Sequence, residues 1–277
     1  MNIQTGCTKE STTMTVSPLI SAFDAQTGVA TLTFNRPEVL NAISIPMAEA
    51  FLAAAQTLSR QPGLRCVVLT GSGRAFMAGG DVASMAGTPE QIRDFINGLL
   101  VPLNEAILLL RSIDAPMVAA VRGPAAGAGL SLALMADIIV ADERAKFLIA
   151  YNGIGAVPDC GCTWFLPHKA GATRAAEMMM LGRQLTAEEA QSWGLITHVA
   201  PSDSYEEALA GTIKQVASGP TKAFGAFRQL VDQAGGRSLA EQLEAERQAF
   251  LKIAHTGDFD EGVSAFLAKR PAAFSGE

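Results

Sequence analysis

The sequence predicts a mixed α/β fold in which a strand-rich first part is followed by a helical last part. Three short segments are continuously apolar, as strands buried on both faces are: RCVVLTG (65–71), MVAAV (117–121) and IIVAD (138–142). Stretches of helical periodicity separate them, and strand–helix alternation of this kind indicates a sheet covered by helices. From about residue 158 onward the pattern is mainly helical.

The elements of the first part can be placed one after another. Residues 19–34 alternate apolar and polar side chains around a turn at 26–28, which predicts two strands joined by that turn. Apolar residues at helical spacing then predict a helix over 46–60 and a longer one over 89–112.

The last part holds a series of predicted helices and one short strand at 197–200. The helices are predicted over 172–181, 187–193, 203–217, 222–234, 238–254 and 258–268. We therefore divide the chain into a flexible N-terminal tail (1–17), a folded core (18–200) and a C-terminal helical region (201–277).

The composition excludes several classes of protein. Hydrophobic residues make up 49% of the 277 residues, enough for a large core. The 21 basic and 27 acidic residues give a net charge of −6 without a basic stripe, which argues against a nucleic-acid partner. No uncharged apolar run reaches the ~18 residues of a membrane span. The first seventeen residues are polar, so we expect no secretory signal, a cytoplasmic protein, and Met14 as an alternative natural start.

Cysteine and histidine usage argues against a metal site. Cys160 and Cys162 are two residues apart, unlike the paired spacing of zinc ligands, and the three histidines are scattered. The other two cysteines, Cys7 and Cys66, lie far from them in the sequence. A disulfide scaffold is not expected in a chain so large and poor in cysteine. We predict no metal and no cofactor.

Two glycine-bearing loops follow predicted strands and share one design. The loops are AFMAGGD (75–81) and GPAAGAG (123–129). Small residues let a ligand approach the backbone closely, and a helix or turn that begins just after such a loop leaves N–H groups pointing outward. Two such loops facing each other would form an oxyanion hole. The alternative is that each is an ordinary tight turn.

Asp159 is the one carboxylate in the apolar segment IGAVPDCGCTWFLP (154–167). It precedes a helix-like run, and aspartate is a favoured N-cap residue. It could equally be a base in an apolar pocket, where burial changes its proton affinity. A metal site shared with Cys160 and Cys162 is disfavoured by the spacing. Ser131 and Tyr151 are polar candidates for the same site, or a helix-face residue and a rim aromatic.

Several motifs in fixed order resemble the crotonase superfamily, also called the enoyl-CoA hydratase/isomerase family. They are NRPEVLNA, AFMAGGDVASM, GPAAGAGLSLALMADIIVADERAKF, IGAVPDCGCTWFLPHKAG, LTAEEAQSWGLITHV and EGVSAFLAKRPAAF. The resemblance covers about residues 18–274. It implies a spiral of ββα units with a C-terminal α-helical trimerisation region, and a homotrimer or a hexamer built from two trimers.

The resemblance also implies a ligand and its contacts. The ligand is an acyl-CoA thioester, whose coenzyme A is part of the substrate. The backbone N–H groups of Gly80 and Ala128 take the positions that bind the thioester oxygen. The implied coenzyme A and substrate contacts are Arg36, Val39, Leu40, Ala78, Gly79, Asp81, Val82, Gly127, Ser131, Tyr151, Phe266 and Lys269, the last two often reaching a neighbouring subunit's site.

This chain departs from the family's hydratases at their two catalytic glutamates. Ser131 and Tyr151 stand in those positions, so ordinary hydration is not expected. Asp159 lies where several family isomerases carry their carboxylate, and PDCGCTW most resembles the branch that isomerises ring-1,2-epoxyphenylacetyl-CoA. The dehalogenase branch also has this aspartate, but residues 82–123 contain no histidine to serve as its second base.

We therefore predict an acyl-CoA isomerase that uses Asp159 as its proton-transferring group. Two alternatives stay open. One is an enoyl-CoA hydratase in which Asp159 alone handles water, and the other is a non-catalytic acyl-CoA-binding homologue.

Overall fold

The computed structural model describes residues 17–277, so the predicted tail lies outside the described residues except for its last position. The strands are β1 Leu19–Asp24, β2 Val29–Phe34, β3 Cys66–Gly71, β4 Met117–Val121, β5 Pro124–Ala126, β6 Ile138–Asp142, β7 Lys146–Leu148, β8 Leu185–Thr186 and β9 His198–Ala200. The helices are α1 Ile45–Leu58, α2 Pro89–Ser112, α3 Ala128–Leu134, α4 Cys162–Ala170, α5 Ala172–Met180, α6 Ala187–Ser192, α7 Tyr205–Ala217, α8 Thr221–Ala234, α9 Leu239–Ile253 and α10 Gly257–Leu267. Three single 3₁₀ turns span Pro37–Val39, Val82–Met85 and Tyr151–Ile154.

The predicted buried sheet is confirmed. Six strands lie in the order β1-β2-β3-β4-β6-β9, in which β1 and β2 form an antiparallel hairpin and each later neighbour pairs in parallel. All five residues of β4 are buried, and so are four of five in β6. Continuous apolarity in these strands follows from helices that cover both faces of the sheet.

A second, smaller sheet turns the chain into the predicted spiral of ββα units. Its order is β5-β7-β8, and a parallel bridge from Met77 to Ala125 extends it. The chain alternates between the two sheets, passing from β4 to β5 and α3, then from β6 to β7 and the helices after it. Strands of two or three residues carry too little periodicity to be predicted from sequence.

Helices cover the two faces of the large sheet unequally. Helices α1, α2 and α3 lie over one face and contribute most of the core. Helix α7 covers the other face, where Tyr205 packs with Val68 and Val118. The predicted boundary at residue 200 therefore separates α7 from the sheet it covers, and the helices beyond this core begin after Ala217. Among them, α9 has no buried residue.

Helix α2 is the one described helix long and apolar enough to cross a membrane by length and composition. Thr88 and Gln91 form a reciprocal capping box at its N-terminus. Leu99, Leu103 and Leu110 are buried in the core cluster that includes α1. The helix is thus an element of a folded core.

An ion-pair cluster lies at the N-terminal ends of β4 and β6. Asp137 accepts from Arg111 Nη1 at 3.0 Å, from Arg228 Nη1 at 2.8 Å and from the backbone N–H of Met117 at 2.8 Å. Arg111 also pairs with Asp232 on α8. The cluster fastens α8 to the sheet.

Candidate active site

The two glycine-bearing loops face each other, as predicted. Both follow the C-terminal ends of parallel strands, which is where α/β sheets bind ligands. The N–H of Ala126 donates to the carbonyl of Met77 at 2.9 Å. A Cβ built on Gly79 would lie 3.2 Å from the carbonyl oxygen of Ala126 and 3.7 Å from the nitrogen of Ala128. The loops therefore touch through their backbones.

Glycine is required at this contact for two separate reasons. Gly79 and Gly127 have φ angles of +103° and +55°, which disfavour residues with a Cβ. Gly129 has an ordinary φ, but a Cβ there would lie 2.4 Å from the carbonyl oxygen of Met77. The sequence pattern of small residues thus reflects a close approach of two backbone segments.

The contact leaves two backbone donors without acceptors. Within residues 17–277, no acceptor is present for the N–H of Gly80 or of Ala128. Ala128 is the first residue of α3, whose initial N–H groups have no partner inside the helix. Two adjacent loops with unengaged N–H groups form an arrangement that can stabilise an oxyanion.

Asp159 does not cap a helix, so the N-cap interpretation is wrong. Cys160 and Gly161 adopt left-handed conformations with φ of 51° and 78°, and α4 begins only at Cys162 with Gly161 as its N-cap. The backbone oxygen of Asp159 accepts from the N–H of Cys162 at 3.0 Å. Its carboxylate instead accepts a hydrogen bond from the hydroxyl of Tyr151 at Oδ1.

Ser131 and Tyr151 both contact Asp159. The Ser131 hydroxyl, on α3, lies 3.0 Å from the backbone oxygen of Asp159 and 3.3 Å from that of Gly127. Ser131 is fully buried, so its hydroxyl supports the two loops. The substrate contact predicted for Ser131 therefore has no open hydroxyl behind it. Tyr151 is 8% exposed, and its ring lies 3.9 Å from the position of a Cβ on Gly127.

The groups around Asp159 are neutral at physiological pH. Burial, followed by the charge of Asp159, raises the pKa of the Tyr151 phenol, which therefore stays protonated and can donate. Burial likewise raises the pKa of Cys160, and it raises the pKa of Cys162 to about 11. Within the described part of the chain no cation pairs with Asp159, and no three potential metal ligands cluster.

The segments predicted to hold coenzyme A lie together beside Gly80. The N–H of Ala78 donates to the carbonyl of Leu40 at 3.0 Å. Arg36 approaches Asp81 at 3.4 Å. The side chains of Val39 and Val82 are 40% and 50% exposed, as residues open to a ligand would be.

The sequence interpretation missed Asn41, which joins these segments. Its side-chain amide donates to the carbonyls of Ser72 and Ala75 at 2.9 and 2.8 Å, and its Oδ1 accepts from the N–H of Arg36. It is fully buried and has a φ of 59°. Asparagine tolerates this left-handed region better than most residues, which is the available sequence signal.

Phe266 and Lys269 lie away from these loops within one chain. Phe266, on α10, is 82% exposed and lines an apolar cleft with Phe259 and Phe274. Lys269 follows the helix with a φ of 52°. Their predicted role in a neighbouring subunit's site remains a prediction.

Comparison with known proteins gives one consistent result. The profile of the enoyl-CoA hydratase/isomerase family matches residues 24–277. The 1,2-epoxyphenylacetyl-CoA isomerase of Escherichia coli K12 is 38% identical over 252 residues, covering 90% of this chain and 96% of that protein. A probable enoyl-CoA hydratase of Rhodobacter capsulatus is 38% identical, covering 92% and 97%.

The structures agree. A crystal structure of a putative enoyl-CoA hydratase/isomerase from Mycobacterium abscessus superposes with a TM-score of 0.86 at 33% identity, over 94% of this chain and all of that one. With its two-sheet spiral, its paired glycine loops and a family match over most of its length, this chain belongs to the enoyl-CoA hydratase/isomerase (crotonase) family.

Proposed function

We propose that the protein is an acyl-CoA isomerase that moves a double bond, or rearranges a ring epoxide, with Asp159 as its proton-transferring group. One observation carries the proposal. Asp159 is the carboxylate hydrogen-bonded to Tyr151 beside the two loops. The family resemblance puts Ser131 and Tyr151 at the positions of the two hydratase glutamates.

The chemistry follows from the weak acidity of a carbon next to a thioester. The N–H groups of Gly80 and Ala128 hold the thioester oxygen and stabilise the enolate that forms when a proton leaves, with roughly 3 kcal/mol contributed per donor. The carboxylate of Asp159 breaks one C–H bond, the double bond shifts, and the same proton returns to a carbon two positions along. No net atom is gained or lost, and no redox cofactor is required.

The relatives alone do not choose between isomerase and hydratase. One relative is named an isomerase and another a probable hydratase, both at 38% identity. Hydration favours two groups, one for water and one for the α-proton. Asp81, the carboxylate of the first loop, pairs with Arg36, which leaves Asp159 as the carboxylate without a cation. A hydratase that uses Asp159 alone is the second candidate. A non-catalytic acyl-CoA-binding protein is disfavoured by the two unengaged amides. We also propose a cytoplasmic homotrimer or hexamer.

The test is an Asp159→Asn variant with Asp203→Asn as its control, because Asp203 is an exposed acid with no side-chain hydrogen bond to described residues. Both proteins are assayed on cis-3-hexenoyl-CoA, on ring-1,2-epoxyphenylacetyl-CoA and on crotonyl-CoA. We expect wild type and D203N to isomerise the first or the second, and D159N to lose about 10²- to 10⁴-fold in kcat. Full turnover by D159N would overturn the proposal. Water addition to crotonyl-CoA as the dominant reaction would select the hydratase.

A further inference from the structure

Hydrogen bonds hold Asp159 at its backbone oxygen and at Oδ1 of its side chain. Its backbone oxygen accepts from the N–H of Cys162 and lies 3.0 Å from the Ser131 hydroxyl. Its Oδ1 accepts from Tyr151. No other oxygen or nitrogen donor bonds its carboxylate in the described part of the chain, and the protonated Cys160 thiol is the weak neutral donor beside it. The bond at Oδ1 thus sets the direction of the other oxygen, Oδ2.

The same residues fix the position of Asp159 relative to the oxyanion donors. The Ser131 hydroxyl lies between the carbonyls of Asp159 and Gly127, and Gly127 directly precedes the donor Ala128. The Tyr151 ring also packs beside Gly127. Asp159 and the loop that carries the donor Ala128 are therefore linked twice, through Ser131 at the backbone and through Tyr151 at the carboxylate.

Tyr151 is itself held in place by its backbone. The 3₁₀ turn Tyr151–Ile154 begins after Ala150 in a left-handed conformation and ends at Gly155, also left-handed. The carbonyl of Tyr151 accepts from the N–H of Ala156 at 3.1 Å. A phenol on a fixed turn can orient a carboxylate more strictly than a flexible side chain can.

No charged group competes with the Tyr151 phenol for the carboxylate of Asp159 in the described part of the chain. The titratable groups that face Asp159 are the Tyr151 phenol from the 3₁₀ turn, and the thiols of Cys160 and Cys162 from its own segment and α4. Helix α3 contributes the non-ionisable Ser131. No arginine, lysine or histidine pairs with Asp159 among residues 17–277.

We propose that Tyr151 is a positioning residue that holds Oδ1 of Asp159 and leaves Oδ2 as the oxygen that receives the substrate proton. This inference rests on the proposed function, and it gives a role to the residue that stands where the family's hydratases carry a glutamate. Tyr151 itself does not exchange a proton with the substrate, because its hydroxyl is committed to Asp159.

The first test is Tyr151→Phe, with Tyr205→Phe as the matched control. Tyr205 is the only other tyrosine and is also buried, and its hydroxyl has no partner among the described residues. Without the phenol the carboxylate loses the hydrogen bond that fixes its direction, so the effect should fall on the chemical step and not on substrate binding. We expect kcat to fall about 10- to 100-fold with KM nearly constant. Y205F should change neither.

The second test keeps the size of the tyrosine side chain. In the Y205F background, biosynthetic incorporation of 3-fluorotyrosine labels Tyr151 alone. The fluorinated phenol keeps the donor to Asp159, so turnover should stay near that of Y205F, in contrast to the loss in Y151F. A ¹⁹F resonance that is displaced in D159N but not in D203N would agree, and one that is unchanged in both would contradict the contact.

The outcomes separate this inference from the proposed function. If D159N is inactive but Y151F keeps the wild-type kcat, the positioning role is wrong and the isomerase proposal stands. If D159N retains full activity, the proposed function fails first, whatever Tyr151 does.

Discussion

Two aspartates lie at opposite ends of the same sheet and are treated in opposite ways. Asp137, at the N-terminal ends of β4 and β6, receives two arginines and a backbone N–H, which satisfy both of its oxygens. Asp159, beside the loops that follow the C-terminal ends of β3 and β4, has only neutral donors next to it, the Tyr151 hydroxyl and the Cys160 thiol. The same side chain is paired with cations in the first place and without a cation in the second.

The two ends of the sheet differ in which polar groups are left unpaired. At the Asp137 end, cations and carboxylates pair and join α2, α8 and the sheet. At the Asp159 end, the carboxylate has no cation, and the amides of Gly80 and Ala128 have no acceptor in the described chain. Buried polar groups left open in a folded protein call for a ligand or a reaction, and a fully paired cluster serves stability.

The largest expected effect is on stability, at the Asp137 end. Asp137→Asn leaves Arg228, whose side chain is 3% exposed, without its charged partner, and we expect unfolding to become easier by about 3–5 kcal/mol. Activity per folded molecule should stay near wild type. Urea unfolding and turnover at low temperature measure the two quantities. Equal destabilisation by Asp203→Asn would refute the role of the cluster.

The next effect is on rate, at the Asp159 end. Ala128→Pro removes an oxyanion donor at the first position of α3, where proline is tolerated, so kcat should fall about 10²- to 10³-fold with little change in stability. Ala172→Pro makes the same change at the first position of α5, away from the loops, and should leave kcat nearly unchanged. Unchanged turnover in A128P would mean that Ala128 is not a donor.

The smallest effect compares two thiols, one at each end, as pH rises. Burial is the largest cause that raises the pKa of Cys66 to about 12 and of Cys162 to about 11, from an ordinary 9.0. Because the folded values are the higher ones, the stability they contribute is complete below pH 9 and is lost as pH rises toward 11–12.

The slope for each thiol is about 1.4 kcal/mol per pH unit while its two values bracket the pH. Urea unfolding between pH 8 and 11 should therefore show a shallower loss in Cys66→Ala and in Cys162→Ala than in wild type. Burial raises the pKa of these two thiols more than the nearby carboxylates do. Asp159→Asn should therefore leave the loss of stability per pH unit almost unaltered. A slope that disappears in D159N would contradict that order of causes.

Local pattern predicted most of the fold because the elements that matter are long or strongly apolar. The buried strand β4 is a continuous apolar run of 5 residues, and α2 repeats its apolar spacing over 24 residues. The Asp137 cluster was not predicted, since its arginines are 26 and 91 residues away in the chain. The β5-β7-β8 sheet was missed because each of its strands is too short.

The candidate site was predictable in part, for a similar reason. Small residues after β3 and β4 indicated two loops, but that they touch depends on the spiral as a whole. The N-cap interpretation of Asp159 was wrong because Cys160 and Gly161 turn the chain before α4 begins. No local sequence pattern indicates that the hydroxyl of Tyr151, eight residues earlier in the chain, donates a hydrogen bond to that carboxylate.

The crowding at Gly129 has a consequence for how this enzyme could be altered. With no room for a methyl group against Met77, the spacing of the two amide donors is set by the main chain alone. Directed evolution on this scaffold therefore has little to gain from the loops themselves. Selection for a new reaction would act on the replaceable groups at positions 131, 151 and 159, around an anchoring point for the thioester that stays the same.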